Sequence, residues 1–261
     1  MKRDDWPALA QAPQADAAWQ ALRVAACVPY RKAGRWAWHW AQGKLARDPA
    51  FRAVLERGHL PARARVLDIG CGQGLLASLL QACADADVGG AWPAGWPPAP
   101  MATAYTGIEL MARDADRART ALQALPLRPH FVCDDMRRAE FPASDLVVIL
   151  DVLHYVDHAA QQRVLERVRD ALRPSNGRLL LRVGDAERRR EFAVTRWVDR
   201  VVTSARGHRV APTFGRPLAD WTALLGALGF HVRAEAMSRG TPFANVLLIA
   251  DLGRDRVATA R

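Results

Sequence analysis

Residues 66–76 read Val66-Leu67-Asp68-Ile69-Gly70-Cys71-Gly72-Gln73-Gly74-Leu75-Leu76, and no other stretch restricts the fold so tightly. The run up to Ile69 fits a short buried strand, and the leucines from Leu75 restart an apolar helix. Between them, glycine at 70, 72 and 74 lets the backbone bend sharply and approach a ligand without Cβ contacts. A strand that enters a helix through such a turn opens a βα unit, and in a doubly wound sheet the turn lies at the strand's carboxyl end, where ligands bind.

The rest of the chain continues in the same grammar. Short apolar runs alternate with amphipathic stretches, which predicts strands over Val66–Ile69, Tyr105–Glu109, His130–Cys133, Leu146–Leu150 and Arg178–Val183. The run Leu146-Val147-Val148-Ile149-Leu150 is apolar throughout, as a central strand covered on both faces requires. Helices are expected over Ala186–Ala205 and Leu218–Leu228, and final strands over Gly229–Val232 and Asn245–Ala250. The fold class is therefore α/β, a doubly wound, mostly parallel, seven-stranded sheet of Rossmann-like kind. Residues 89–100 carry too much proline and glycine for regular structure and read as a surface insertion.

Residues 1–60 read as an N-terminal helical extension broken at Pro13 and Pro29, with Trp36 and Trp40 one helical turn apart on a shared face. Trp36, Trp38, Trp40 and Tyr30 fit either core packing or an apolar substrate lid. The expected organisation is a helical segment over 1–60, a catalytic domain over 61–251 and a tail over 252–261, since 261 residues suit one large α/β unit.

Charge and cysteine usage exclude several classes. The net charge is +10, but of 37 basic residues only Lys2, Lys32 and Lys44 are lysines, and the arginines are spread along the chain apart from Arg188, Arg189 and Arg190. That distribution reads as a solvated arginine-rich surface rather than a nucleic-acid footprint, with an anionic carrier or phosphate-bearing substrate as the other reading of the arginine run. Cys27, Cys71, Cys83 and Cys133 form no CxxC pair and have no histidine partners at zinc spacing, so neither a disulfide framework nor a metal site is expected. No run approaches the ~18 apolar residues of a membrane span, and the charged start is followed by no apolar core. A cytoplasmic protein is expected.

A dinucleotide site would show G-x-G-x-x-G, whereas Gly70, Gly72 and Gly74 are spaced G-x-G-x-G behind Asp68. Tyr105-Thr106-Gly107-Ile108-Glu109 ends in a carboxylate able to accept two ribose hydroxyls; Phe131-Val132-Cys133-Asp134-Asp135-Met136 follows, then Asp145–Leu150 with Asp151-Val152-Leu153-His154-Tyr155-Val156, and Leu172–Leu181. This ordered set resembles the motifs of class I S-adenosylmethionine-dependent methyltransferases. The resemblance implies S-adenosylmethionine as cofactor. Its methionine part would lie against Gly70, Cys71, Gly72 and Gly74, with its amino group oriented by Asp68. The ribose would fall to Glu109 and the adenine to Asp134, with Leu110, Asp135, Met136 and Asp151 completing the cofactor set. Glu109 follows Gly74 by 35 positions, beyond the ~20 of related dinucleotide folds, and the 89–100 insertion accounts for the excess.

Methyl transfer to a phenol of pKa ≈ 10 at neutral pH gains from a base near the reacting oxygen. His154, after the fourth strand, is the candidate catalytic base, equally readable as a packed loop histidine, with Tyr155 beside it as catalytic candidate or aromatic cover. His158 is second rank, and His39, His208 and His231 are unplaced reserves. The segment Tyr30-Arg31-Lys32-Ala33-Gly34, Gly43-Lys44-Leu45, Asp48-Pro49 and Phe51 resembles methyltransferases associated with aryl polyene pigment pathways. It implies a small aromatic or polyketide-like acceptor, free or carrier-bound, and O-methylation. The competing expectations are an RNA methyltransferase, which lacks support from an Asn-Pro-Pro-Tyr segment, and a non-catalytic S-adenosylmethionine-binding partner protein.

Overall fold

The computed structural model describes residues 13–184, 213–237 and 245–253. The expected 186–205 helix, the Arg188–Arg190 run and His208 lie outside the described residues. Seven strands form one sheet in the order β3-β2-β1-β4-β5-β7-β6. They are β1 (Arg63–Ile69), β2 (Met101–Glu109), β3 (His130–Cys133), β4 (Leu146–Leu150), β5 (Arg178–Gly184), β6 (Phe230–Ala236) and β7 (Asn245–Leu252). The first five pair in parallel, while β7 enters antiparallel between β5 and β6. The chain winds outward one way through β1, β2 and β3 and the other way through β4 and β5, so the switch point lies between β1 and β4, where such sheets open a ligand crevice.

Period-two alternation assigns each strand residue to a layer. In β4, Leu146 and Val148 face a core shared with the N-terminal helices and the helix after β1, while Val147 and Ile149 face the opposite core. On the first face lie α1 (Pro13–Cys27), a 3-10 turn over Val28–Ala33, α2 (Arg35–Arg47), α3 (Pro49–Glu56), α4 (Leu75–Val88) and α5 (Ala112–Leu122). On the second lie α6 (His158–Leu172) and α7 (Leu218–Ala227), whose Val164, Leu165, Val168, Trp221 and Leu225 are buried.

Five strands differ in length from expectation: β5 runs one residue further to Gly184, β7 two further to Leu252 and β6 from Phe230 to Ala236, while β1 and β2 begin earlier. β1 begins at Arg63 and β2 at Met101, because 63–64 pair with 101–102 across an irregularity between Ala64 and Arg65. Thr103 and Ala104 in this extension are exposed, and of its side chains Ala64 is buried in the first core and Ala102 packs against that core, so no sustained apolar run announces it. The 89–100 insertion is irregular, stapled by Trp92 Nε1 donating to the Pro97 carbonyl (2.9 Å) and an edge-on Trp92–Trp96 contact. It leads into the amino end of β2, the end of the sheet away from the crevice.

The N-terminal helices belong to the first layer. Ser78 of α4 donates to the Ala26 carbonyl at 2.7 Å, the wholly buried Tyr30 donates to the Gln73 carbonyl at 2.8 Å, and Trp36 lies under the Arg117 guanidinium of α5 at 4.1 Å. A charged link fixes the other end of the extension. Arg182 interrupts the apolar run of β5 on the face of Leu180 and is 3% exposed. It donates to Asp48 Oδ2 (2.7 Å), the residue that caps α3, and to Asp151 Oδ1 (2.8 Å) at the end of β4, while Lys44 Nζ reaches Asp48 at 2.8 Å. Two acids and two bases thus balance around one buried guanidinium. Burial opposes ionisation of Asp48, but the Arg182 hydrogen bond and the Arg182 and Lys44 charges outweigh it and hold the carboxyl well below the usual range.

Breaking a buried pair from one side leaves an uncompensated charge. Asp48→Ala, which also removes the α3 cap, is expected to cost about 3–5 kcal/mol in urea unfolding, while Lys44→Ala, at the half-exposed end, costs less than about 1 kcal/mol; equal losses would mean that Arg182 is not the anchor.

Candidate functional site

The crevice is walled by the loops that leave β1, β2, β3 and β4 at their carboxyl ends. In the first loop Gly70, Gly72 and Gly74 all take positive φ, a conformation that disfavours side chains. The amides of Gly70 and Cys71 both donate to the Ile108 carbonyl, at 2.8 and 3.1 Å, which pins the turn to β2. A Cβ at Gly70 would lie 2.5 Å from Val152 Cγ1, so this glycine lets the β1 and β4 loops touch. At Gly72 a Cβ would meet open space, with Trp40 Cη2 of α2 the nearest atom at 4.0 Å. Gly72 is thus the point where bare backbone faces the crevice beneath an indole. Cys71 turns its thiol inward toward Gly107, so it presents only backbone to a ligand.

Two carboxylates stand beside this loop in different electrostatic states. Asp68 is 6% exposed and receives the Tyr105 hydroxyl at 2.5 Å. Alternation places Tyr105 on the same face of the sheet, one strand away. Burial pushes the Asp68 carboxyl up to about 7, with Glu109 adding repulsion and the Tyr105 hydrogen bond opposing both. Tyr105 is itself raised well above its usual value, by burial first and then by Asp68. Glu109 instead accepts the Gly72 amide (Oε2, 2.8 Å) and the Met111 amide (Oε1, 2.8 Å), and its carbonyl receives the Asp134 amide at 3.1 Å. One residue therefore holds three loops in register.

At the end of β3 both aspartates are ionic. Arg138 holds Asp134 and Arg137 holds Asp135 below the usual carboxylate range. Leu110 is 62% exposed beside them, an apolar surface large enough to receive a flat ring, and the exposed Cys133 thiol lies 3.8 Å from the Leu110 carbonyl. Met136 is half-buried and packs into the second core.

Beyond β4, Asp151 adopts φ +60°, a left-handed conformation rare without glycine, and its carboxylate goes to Arg182. His154 and Tyr155 occupy the following 3-10 turn, half-buried, with ring centroids 4.3 Å apart. Burial lowers the His154 pKa below that of a free imidazole, with the Asp151 charge partly opposing, so at neutral pH the ring is a base with its proton off. His158 lies further out on α6, its ring nitrogen 3.3 Å from the Gly215 carbonyl. His39 is exposed on α2 and His231 is on β6, on the far side of the sheet order from β1.

Four supporting residues were absent from the sequence reading. Tyr105 holds Asp68, and Asp48 with Arg182 holds Asp151. Gln161, wholly buried in α6, donates to the carbonyls of Leu153 (3.3 Å), Val156 (3.0 Å) and Phe214 (2.8 Å) and receives Arg216 Nε at 2.7 Å, tying the His154 turn to residues 214–216. A lone arginine inside Leu179-Leu180-Leu181-Arg182-Val183 was the one available signal, because a charge in a buried strand demands partners; Gln161 sits on an ordinary amphipathic helix and announced nothing.

The donor set fits a cofactor carrying an ammonium, a diol and a flat base. A buried acid with no cation beside it suits the ammonium, an amide-anchored carboxylate the diol, and Leu110 the base. A family profile described as a methyltransferase domain matches residues 37–235, more than half of the chain. No curated relative matches at the sequence level. Among solved structures, magnesium protoporphyrin IX methyltransferase from Synechocystis PCC 6803 with bound SAH is similar at 18% identity and TM-score 0.54, over 81% of this chain and 84% of that one. An O-methyltransferase family protein from Burkholderia thailandensis is similar at 21% identity and TM-score 0.55, over 86% of this chain and 62% of that one. The mitomycin 7-O-methyltransferase is similar at 20% identity and TM-score 0.54, over 92% of this chain and 69% of that one. These three likenesses show the fold.

A carboxyl whose folded pKa lies above its unfolded value keeps a proton that the unfolded chain has lost, so its contribution to stability is present at low pH and fades as pH rises through that window. For Asp68 the window runs from ~4 unfolded to about 7 folded. Asp68→Asn is therefore expected to gain on the wild type by on the order of 2 kcal/mol between about pH 5 and pH 8, followed by urea unfolding at each pH; a difference that stays flat would mean that the carboxyl is ionised throughout.

Proposed function

The chain belongs to the class I S-adenosylmethionine-dependent methyltransferase family, and from that premise we propose that it O-methylates a small aromatic or polyketide-like acceptor, with His154 as the base. The observation that carries this reading is the half-buried His154–Tyr155 pair at the carboxyl end of β4, its imidazole held neutral by burial. The mitomycin 7-O-methyltransferase and the Burkholderia O-methyltransferase family protein share the fold, and O-methylation in both agrees with a hydroxyl acceptor.

In this reading Asp68 receives the cofactor's ammonium, the bare backbone at Gly72 lies along its methionine part, and Glu109 receives the ribose hydroxyls. Asp134, Asp135, Leu110 and Met136 border the adenine, with Cys71 contributing backbone. The bound cofactor supplies an electrophilic methyl group on a sulfonium. Tyr105 keeps the Asp68 carboxyl aimed, and Glu109 keeps the first three loops in register. Trp40 covers Gly72 from the N-terminal helices and keeps water from that side, which supports reading the described part of the extension, residues 13–60, as a lid.

Tyr155 offers apolar surface for a planar acceptor. His154 takes the acceptor's hydroxyl proton, a contribution worth roughly 10²–10⁴-fold, because a phenol of pKa ≈ 10 is ionised in only about one molecule per thousand at pH 7. The larger part of the acceleration comes from holding the two reactants together, worth up to ~7–11 kcal/mol. Asp151 acts through its neighbours, since Arg182 holds it at the strand end and its charge tempers the His154 base.

In calorimetric titration, S-adenosylmethionine and S-adenosylhomocysteine are expected to bind, with Asp68→Ala and Glu109→Ala each weakening both by about tenfold or more, as expected when a charge-assisted hydrogen bond is lost. With a panel of phenols, S-adenosylhomocysteine formation should fall about 10²-fold or more in His154→Gln at unchanged cofactor affinity. The wild-type rate should drop only as pH falls below the usual imidazole range near ~6.5; an unchanged rate in His154→Gln would remove His154 from the base role.

A further inference from the structure

The outer side of the N-terminal helices carries a second concavity that shares no residue with the crevice. A groove of about 390 Å³ runs between α1 and α2, within the roughly 300–1,000 Å³ of small-molecule sites. Its α1 wall presents Gln20 and Arg23, and its α2 wall presents His39, Gln42 and Arg47 around Gly43. Every one of these side chains can donate a hydrogen bond, and no carboxylate among the described residues lines the groove. Many arginines elsewhere are answered locally, as Arg119 is by Asp116, Arg138 by Asp134 and Arg65 by Asp145. Arg23 and Arg47 face one groove from opposite helices with no carboxylate partner among the described residues.

Gly43 supplies an independent observation. It lies inside the thirteen-residue helix α2, where glycine is the weakest former apart from proline, and nothing in the packing calls for it, since a Cβ there would meet no atom within 4 Å. The missing side chain instead deepens the groove floor between the two arginines. Backbone kept bare at an open, cation-lined surface is the arrangement that lets a ligand approach closely. The neighbouring Cys27 thiol is raised to about 11 by burial, so the groove floor offers no nucleophile and is built for binding.

We propose that this groove is a binding site for a phosphate-bearing small molecule, a mono- or diphosphate ester clamped between Arg23 and Arg47 with Gln20, Gln42 and His39 as further donors. A guanidinium pair matches tetrahedral phosphate oxygens in bidentate fashion. The groove is larger than a phosphate group alone, which leaves room for the organic part over Gly43. The site stands apart from methyl transfer and survives even if the acceptor assignment fails.

The test titrates the full chain with pyrophosphate and inorganic phosphate at about 0.15 M ionic strength, following arginine Nε–H resonances, with succinate as the phosphate-free dianion. Pyrophosphate is expected to shift the Arg23 and Arg47 signals saturably and more tightly than succinate. Arg23→Gln and Arg47→Gln should each weaken it about tenfold or more, and Gly43→Leu should abolish it. S-adenosylhomocysteine affinity should be unchanged in all three. Gly43→Ala, which favours the helix, should melt no lower than wild type while weakening pyrophosphate, so the result does not hinge on whether the larger side chain folds. Lack of saturation by about 10 mM pyrophosphate, equal binding in the variants, or succinate binding as tight as pyrophosphate would each overturn the proposal.

Discussion

A guanidinium left 3% exposed inside a strand must be answered by carboxylates, and at Arg182 the answers come from the two parts of the chain that the site needs together. Asp48 arrives from the junction of α2 and α3, and Asp151 from the end of β4. Because desolvated charges tolerate little misalignment, the link fixes the distance between the N-terminal layer and the turn bearing His154. The positive φ of Asp151 is held by the same contact, so a strained residue sits where the chain leaves the sheet for the acceptor side. Trp40 and Tyr30, on the other end of the same helical layer, then fall over Gly72 and Gln73.

The acids ending β1 and β2 show how environment divides one chemistry into two roles. Glu109 is spent partly on architecture, since its carboxylate and carbonyl collect amides from the loops after β1, β2 and β3. Among the described residues Asp68 collects no backbone amide and has only the Tyr105 hydroxyl, which leaves burial to dominate and its proton near balance at neutral pH.

The sheet was legible from sequence because its information is local. Leu146–Leu150 is apolar at every position and β3 and β4 have the expected bounds, since burial on both faces forces the pattern residue by residue. The glycine turn was legible because glycine adopts the positive φ of Gly70 and Gly72 at no steric cost, whereas other residues do so rarely. The beginnings of β1 and β2 were not, because they carry no sustained apolar run. Nor were Tyr105, Asp48 and Gln161, which serve the site through partners 37 to 134 positions away or through several carbonyls at once. Pairings over such separations depend on register and layer, which a single sequence encodes only in aggregate.

Net charge is the property in which composition and structure part company most usefully. A formal +10 spread evenly would draw any polyanion, yet Arg117 and Arg119 of α5 and Arg137 and Arg138 of the loop after β3 are neutralised by Asp114, Asp116, Asp135 and Asp134 within four positions along the chain. Exposed pairs of this kind contribute little to stability, but they flatten the potential over those faces. What the field has left to offer is concentrated where basic side chains converge without acids, and the groove between α1 and α2 is such a place.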